Sequence, residues 1–147
     1  MSLRETPMVR RYWRHVGGTI AEEFPAVRPS KTASIRRLDA VIVPGGEPAR
    51  VPWRELDVAG RDIIVIQAKL GRLGMNVMGQ AFFSRELMRP FGPASVRTVA
   101  IVVRDDSVLR PLAETFGIEV VIDPLGGSVD REPDDVTTVL RDAADSE

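Results

Sequence analysis

The sequence predicts an α/β domain: a mixed β-sheet with helices on both faces. Three observations carry that expectation. Asp62-Ile-Ile-Val-Ile66 opens a continuous run of β-branched residues, as in a strand buried on both faces. Beyond it, segments of helical periodicity, Met75 to Met88 and Ser107 to Phe116, alternate with the apolar runs Val96 to Val103 and Ile118 to Ile122. Ahead of it, Thr19 to Val27 and Ser34 to Val43 read as an antiparallel hairpin with a long loop.

Each element has a local reason. Thr6-Pro7 supplies an N-cap and a first-turn proline, and Met8, Val9, Tyr12, Trp13 and Val16 follow at helical spacing until Gly17-Gly18 ends the helix. Pro44-Gly45-Gly46 breaks the chain after the hairpin. The helix from Met75 carries Met78, Phe82 and Met88 as core positions and stops at Pro90 and Gly92, and Ser107 is the expected cap of the next. The order is α-β-β-β-α-β-α-β. Residues 1–124 read as one domain. Residues 125–147 read as an acidic tail rich in Gly, Pro and Asp, with a weak helix around Asp134 to Ala144.

Composition narrows the chemistry. The 147 residues include no Cys and a single His, so disulfides, thiolate zinc sites and cysteine nucleophiles are excluded, and a Ser-His-Asp triad would rest on His15 alone. The 20 basic residues are 18 Arg and 2 Lys, the lysines being Lys31 and Lys69. Residues 1–100 hold 16 basic against 9 acidic residues, a net of +7, whereas residues 101–147 hold 4 against 12, a net of −8. A basic body with an acidic end suits a surface that meets a polyanion; an arginine-biased composition with a solvated tail gives the same count. No run approaches the roughly 20 apolar residues of a membrane span, and a cytoplasmic location is expected. No strand is followed by a phosphate-binding glycine motif.

Two polar interruptions stand out. Asp39 precedes the most apolar part of its strand, where an unpaired carboxylate is costly to bury. The central strand ends Ile66-Gln67-Ala68-Lys69, and period-two alternation puts Gln67 and Lys69 on one face. If the two strands are neighbours, Asp39, Gln67 and Lys69 converge at one end of the sheet. A carboxylate, an amide oxygen and the Ala68 carbonyl suit a hard cation such as Mg²⁺, and a nearby ammonium can orient an attacking water. The same residues could instead be a partly buried Asp39–Lys69 ion pair with Gln67 serving a backbone group.

Asp39 followed by Gln67-Ala68-Lys69 at the end of an apolar strand resembles the PD-(D/E)XK nuclease superfamily, the restriction-endonuclease-like fold, in the variant with Gln as second acidic position, as in Mrr-type restriction domains. The resemblance spans roughly Glu5 to Val103 and includes the order helix, three-stranded meander, helix, strand. It implies a hydrolase that cuts DNA phosphodiester bonds with Mg²⁺ or Mn²⁺. Asp39 would be the principal metal ligand, Gln67 the second, and Lys69 the residue that positions water. Glu5 matches the acidic residue many members carry on the first helix, and also suits a helix N-terminus as a charge. Only one of Glu22 and Glu23 could approach Asp39 from a strand. Gln80 lies where several members place a Gln, with Ser84 where an aromatic often follows. Leu38 replaces the motif's Pro, and Gln67 removes a negative charge, which weakens cation binding and disfavours two metals.

For DNA, the basic body offers Arg10, Arg11, Arg14, Lys31, Arg36, Arg37, Arg72 and Arg85, of which Lys31, Arg36, Arg37 and Arg72, with Gln80, are the candidate contacts. Tyr12, Trp13, Phe82 and Phe83 are expected in the core, leaving no platform for stacking single strands. A chain of this size would act as a homodimer or with a partner protein if it cut both strands. The other readings are a catalytically inactive nucleic-acid-binding module on the same fold and an α/β protein-interaction domain.

Overall fold

The computed structural model describes residues 1–129. Helix α1 (Thr6–Val16) leads into strands β1 (Thr19–Val27), β2 (Arg36–Val43), β3 (Ala49–Arg50) and β4 (Asp62–Arg72), then helix α2 (Met75–Met88), strand β5 (Ser95–Arg104), helix α3 (Leu109–Thr115) and strand β6 (Ile118–Ile122). The six strands form one mixed sheet in the order β3-β1-β2-β4-β5-β6. β1–β2 and β2–β4 are antiparallel; β4–β5 and β5–β6 are parallel. The expected α/β class and hairpin are therefore present. β3, two residues beside β1, is too short to leave a periodic signal.

Local chemistry moves two caps. α1 begins on Glu5, not Thr6, whose hydroxyl instead donates to the Ser2 carbonyl at 3.3 Å. At α3 the N-cap is Val108 rather than the expected Ser107, and Asp106 just ahead of it accepts the Val108 and Leu109 amides on Oδ1 at 3.0 and 2.9 Å. Gly18 is required where it stands: its φ is +85°, and a Cβ there would lie 2.2 Å from the Val43 carbonyl oxygen. Trp13 seals that helix end by donating from Nε1 to the Gly18 carbonyl at 2.7 Å.

The sheet separates two apolar layers. Met8 and Val9 of α1 pack on Ile20, Ala40, Ile42, Ile64, Ile66, Val99 and Ile101. On the opposite face α2 packs Val77 and Ala81 on Ala100 and Val102, and Met88 on Phe24, Ile63 and Val65. β4 is thus covered on both sides, as its unbroken apolar run demands. The tail expected from residue 125 is tied down where it is described: Arg11 of α1 grips Asp123 through Nε and Nη2 at 2.9 and 3.0 Å and donates to the carbonyls of Gly126 and Ser128. The helix expected around Asp134 to Ala144 lies outside the described residues.

A second ion pair fastens α1 to the sheet. Arg10 donates from Nε and Nη2 to Glu22 at 2.9 and 3.0 Å, and Arg50 approaches the same carboxylate at 3.5 Å. Burial would raise the Glu22 pKa, but the two arginines outweigh it and hold the carboxyl below its ordinary value. A depressed carboxyl stabilises the fold above its unfolded pKa and loses that contribution as pH falls through the folded one. Glu22→Gln is therefore expected to cost about 1–2 kcal/mol at pH 7, as for a charge-assisted hydrogen bond. The difference from wild type should shrink steadily in urea titrations taken below about pH 4.

Candidate active site

Strands β2 and β4 pair in register at Ile42–Ile64, Val41–Val65 and Ala40–Ile66, and then part. Asp39 is the first residue beyond the last pair. Its Oδ2 accepts the Ala68 backbone N–H at 2.7 Å, so a side-chain carboxylate takes the place that a strand carbonyl would hold. The alternation of side chains also breaks here: Leu38 and Val41 lie in the same apolar layer, Ala40 and Ile42 in the other. Opposite Asp39 on β1 stands Glu23, the one non-glycine residue with a positive φ (+53°) among the described residues. Residues held in that region concentrate where function, rather than stability, sets the conformation.

A cavity of about 770 Å³ opens at this fork, lined by Glu5, Asp39, Gln67, Ala68, Lys69 and Gln80, among others. Asp39, Gln67 and Lys69 line this one cavity, and Asp39 binds the amide of the residue that lies between the other two. No Asp39–Lys69 ion pair forms. N–H and C=O of one strand residue project to the same side, so the Ala68 carbonyl also faces the fork.

Gln67, 7% exposed, is held by a directional chain. The Ser84 hydroxyl gives its proton to the Gln80 carbonyl at 2.5 Å, so toward Gln67 it can only accept, and Gln67 Nε2 donates to it at 2.8 Å. The amide nitrogen is thereby committed to α2. Oε1 is left as the acceptor, with no donor on it among the described residues, in a side chain that lines the cavity. Ser84, at the position where an aromatic was the expected partner of Gln80, thus fixes which end of Gln67 a ligand meets. Ser84→Ala is expected to leave Nε2 unpaired, costing about 1–3 kcal/mol of stability. Freed to rotate, the amide would no longer be held with Oε1 toward the cavity.

The charge pattern favours a cation. The α-ammonium of Met1 sits 2.9 Å from Glu23 Oε1 and 3.2 Å from Asp39 Oδ1. Burial opposes its charge, yet the two carboxylates prevail and raise its pKa. Burial likewise pushes the Asp39 carboxyl above its ordinary value, against the Ala68 N–H and the ammonium, and Glu5 pushes it further the same way. Of the two β1 carboxylates, Glu23 is the one that comes to Asp39, while Glu22 is spent on Arg10 and Arg50. Glu5 lines the cavity and accepts the Ser2 amide at 3.0 Å. No three His, Cys, Asp or Glu side chains gather in metal-holding geometry among the described residues. The donors on offer are the Asp39 carboxylate, the Gln67 amide oxygen and the Ala68 carbonyl, a hard set of low charge that fits Mg²⁺ or Mn²⁺.

No family model, curated protein or solved structure matches the chain. No helix among the described residues is long and apolar enough to cross a membrane.

The candidate phosphate contacts divide. Arg36, Arg37 and Gln80 line the cavity, whereas Lys31 lies in the exposed β1–β2 loop and Arg72 donates to the Asp105 carbonyl at 2.9 Å, both away from the cavity wall. Arg10 and Arg11 are held by Glu22 and Asp123, and Arg85 lies over Phe82 and donates to Glu86. Phe83, expected in the core, is instead exposed on the cavity wall. Helical periodicity could not separate it from Phe82, because adjacent positions on α2 differ by only about 100° and the apolar residues of α2 are not confined to one face.

Proposed function

We propose that this protein is a metal-dependent nuclease of the PD-(D/E)XK type, hydrolysing phosphodiester bonds in DNA. The observation that carries the reading is the Asp39 carboxylate hydrogen-bonded to the Ala68 amide, between Gln67 and Lys69, at the rim of a basic cavity. Asp39, the Gln67 oxygen and the Ala68 carbonyl would hold Mg²⁺ or Mn²⁺. Bound there, the cation supplies Lewis-acid polarisation of a phosphoryl oxygen.

The chain's own residues do the rest. Arg36 and Arg37 offer guanidinium forks to phosphate oxygens and fix the strand's position. Lys69, next along the face from Gln67, holds the attacking water by its lone pair and aims it at phosphorus. Ser84 keeps the Gln67 oxygen turned toward the cavity. Glu5 and Glu23 place further negative charge beside Asp39, which favours a cation over a bare, self-repelling cluster.

Incubation with DNA and Mg²⁺ or Mn²⁺ tests the reading. Wild type is expected to cut, with EDTA abolishing the activity. Lys69→Ala should reduce the rate about 10²-fold, the scale seen when a reacting group loses its positioning. DNA bound with steep salt dependence but left uncut with either ion would favour the inactive binding module instead.

A further inference from the structure

The cavity has two unlike walls. One carries Arg36 and Arg37 from β2 and Lys69 from β4. Arg36 is bonded only to the Ser34 and Ile35 carbonyls, and Arg37 and Lys69 have no carboxylate partner among the described residues. The other wall is α2, which turns Met75, Phe83 and Leu87 toward the same space, with Phe83 63% and Met75 73% exposed. Phe83 is held edge-to-face against Phe82 at 5.3 Å, and Phe82 is itself backed by Phe116 at 6.3 Å and the Arg85 guanidinium at 4.7 Å. An exposed aromatic so braced is a fixed surface rather than a loose side chain. Gly79 adds room on this wall: it sits inside α2, where glycine weakens a helix, yet a Cβ would meet nothing within 4 Å. Packing does not ask for glycine there.

We propose that the cleft takes an unpaired nucleic-acid strand, with bases against Phe83 and Leu87 and phosphates on Arg36 and Arg37. The proposal rests on the nuclease reading for the kind of polymer bound and adds which form of it the site selects. A duplex presents phosphates and sugars outward and keeps its base faces stacked, so it has nothing to offer an aromatic wall. An unpaired strand offers both chemistries at once. Size agrees, since about 770 Å³ falls in the range of clefts that enclose small molecules, about 300–1,000 Å³, and admits a few nucleotides rather than a double helix. A second copy of the chain is a poor occupant. A twofold contact here would set the same cations of both copies against one another, or bury them without partners.

Fluorescence anisotropy in EDTA, with a labelled short oligothymidylate and a blunt duplex of equal length, separates the outcomes. Wild type is expected to bind the single strand at least about tenfold more tightly than the duplex. Phe83→Ala should weaken strand binding about 5- to 100-fold and leave duplex binding unchanged, and Phe83→Trp should restore it. Arg37→Ala should weaken both and flatten the salt dependence. Phe83 is exposed, so a melting curve confirms that its variants fold. Equal affinity for the two forms, indifference to Phe83→Ala, or a homodimer that Phe83→Ala dissociates would each overturn the proposal. If strand preference and its dependence on Phe83 hold while no cleavage occurs with either metal, the hydrolytic reading fails and this one stands. If blunt duplex is cut and Phe83→Ala cuts it equally well, this one fails and the hydrolytic reading stands.

Discussion

Asp39→Asn is expected to abolish metal-dependent cleavage while leaving the fold as stable as wild type at neutral pH, or more so. The two effects have one cause. Asp39 is 7% exposed, and burial raises its carboxyl above the ordinary value despite the Ala68 amide and the Met1 ammonium. A group whose folded pKa is raised stabilises the fold below its unfolded pKa, about 3.9 for Asp. That contribution is lost as pH rises through the folded value. At pH 7 the charged carboxylate is therefore a net cost that Asn removes, and one amide oxygen can still accept the Ala68 N–H. The melting-temperature difference, variant minus wild type, should grow between about pH 4 and pH 7. On the proposed nuclease reading, cleavage should fall about 10³-fold or more, because the cation would lose the one carboxylate among its proposed ligands and with it several kcal/mol of charge stabilisation. A variant that unfolds, or that loses several kcal/mol at pH 7, would mark Asp39 as a structural ion-pair residue instead.

Arg11→Ala should cost about 1–3 kcal/mol by urea unfolding, since it strips a part-buried carboxylate of its charged hydrogen bonds. Arg11 and Asp123 are 11% and 12% exposed, and the guanidinium meets the carboxylate through two nitrogens while also serving the Gly126 and Ser128 carbonyls. Arg11→Lys should recover little, since an ammonium cannot reproduce the planar fork. Arg11→Met combined with Asp123→Leu should recover part of the loss, because the Asp123 carboxylate is no longer left without its partner. Losses below about 1 kcal/mol in the single variants would reduce the pair to a surface contact.

Much of the fold was legible because its signals were local. α2 runs from Met75 to Met88 as its periodicity and the following Pro90 require, and β4 begins at Asp62 where the apolar run begins. What escaped depended on partners distant in sequence. Arg11 reads as a solvent-facing helix arginine until Asp123, 112 residues later, is brought beneath it. The same is true of Arg10 and Glu22. Ser107 reads as the α3 cap in sequence, and only the loop's path hands the Val108 and Leu109 amides to Asp106 instead. In the site, Gln67 and Lys69, which period two puts on one face, line one cavity. Ser84 seemed only a departure from the motif, and its value as an acceptor emerges once Gln80's carbonyl has taken its proton. Phe83 reads as core from its place beside Phe82 in a helix, and helical spacing cannot see that α2 leaves it uncovered.

The parting of β2 and β4 has a mechanical meaning. β4 shares nine register positions with β5, from Asp62–Ser95 to Arg72–Arg104, but three with β2. The hairpin half of the molecule and its parallel half are therefore stitched by a short seam, and the last stitch beyond the three is the Asp39 carboxylate itself. Substitutions at Asp39 therefore bear on the join between the two halves of the sheet as well as on the cavity.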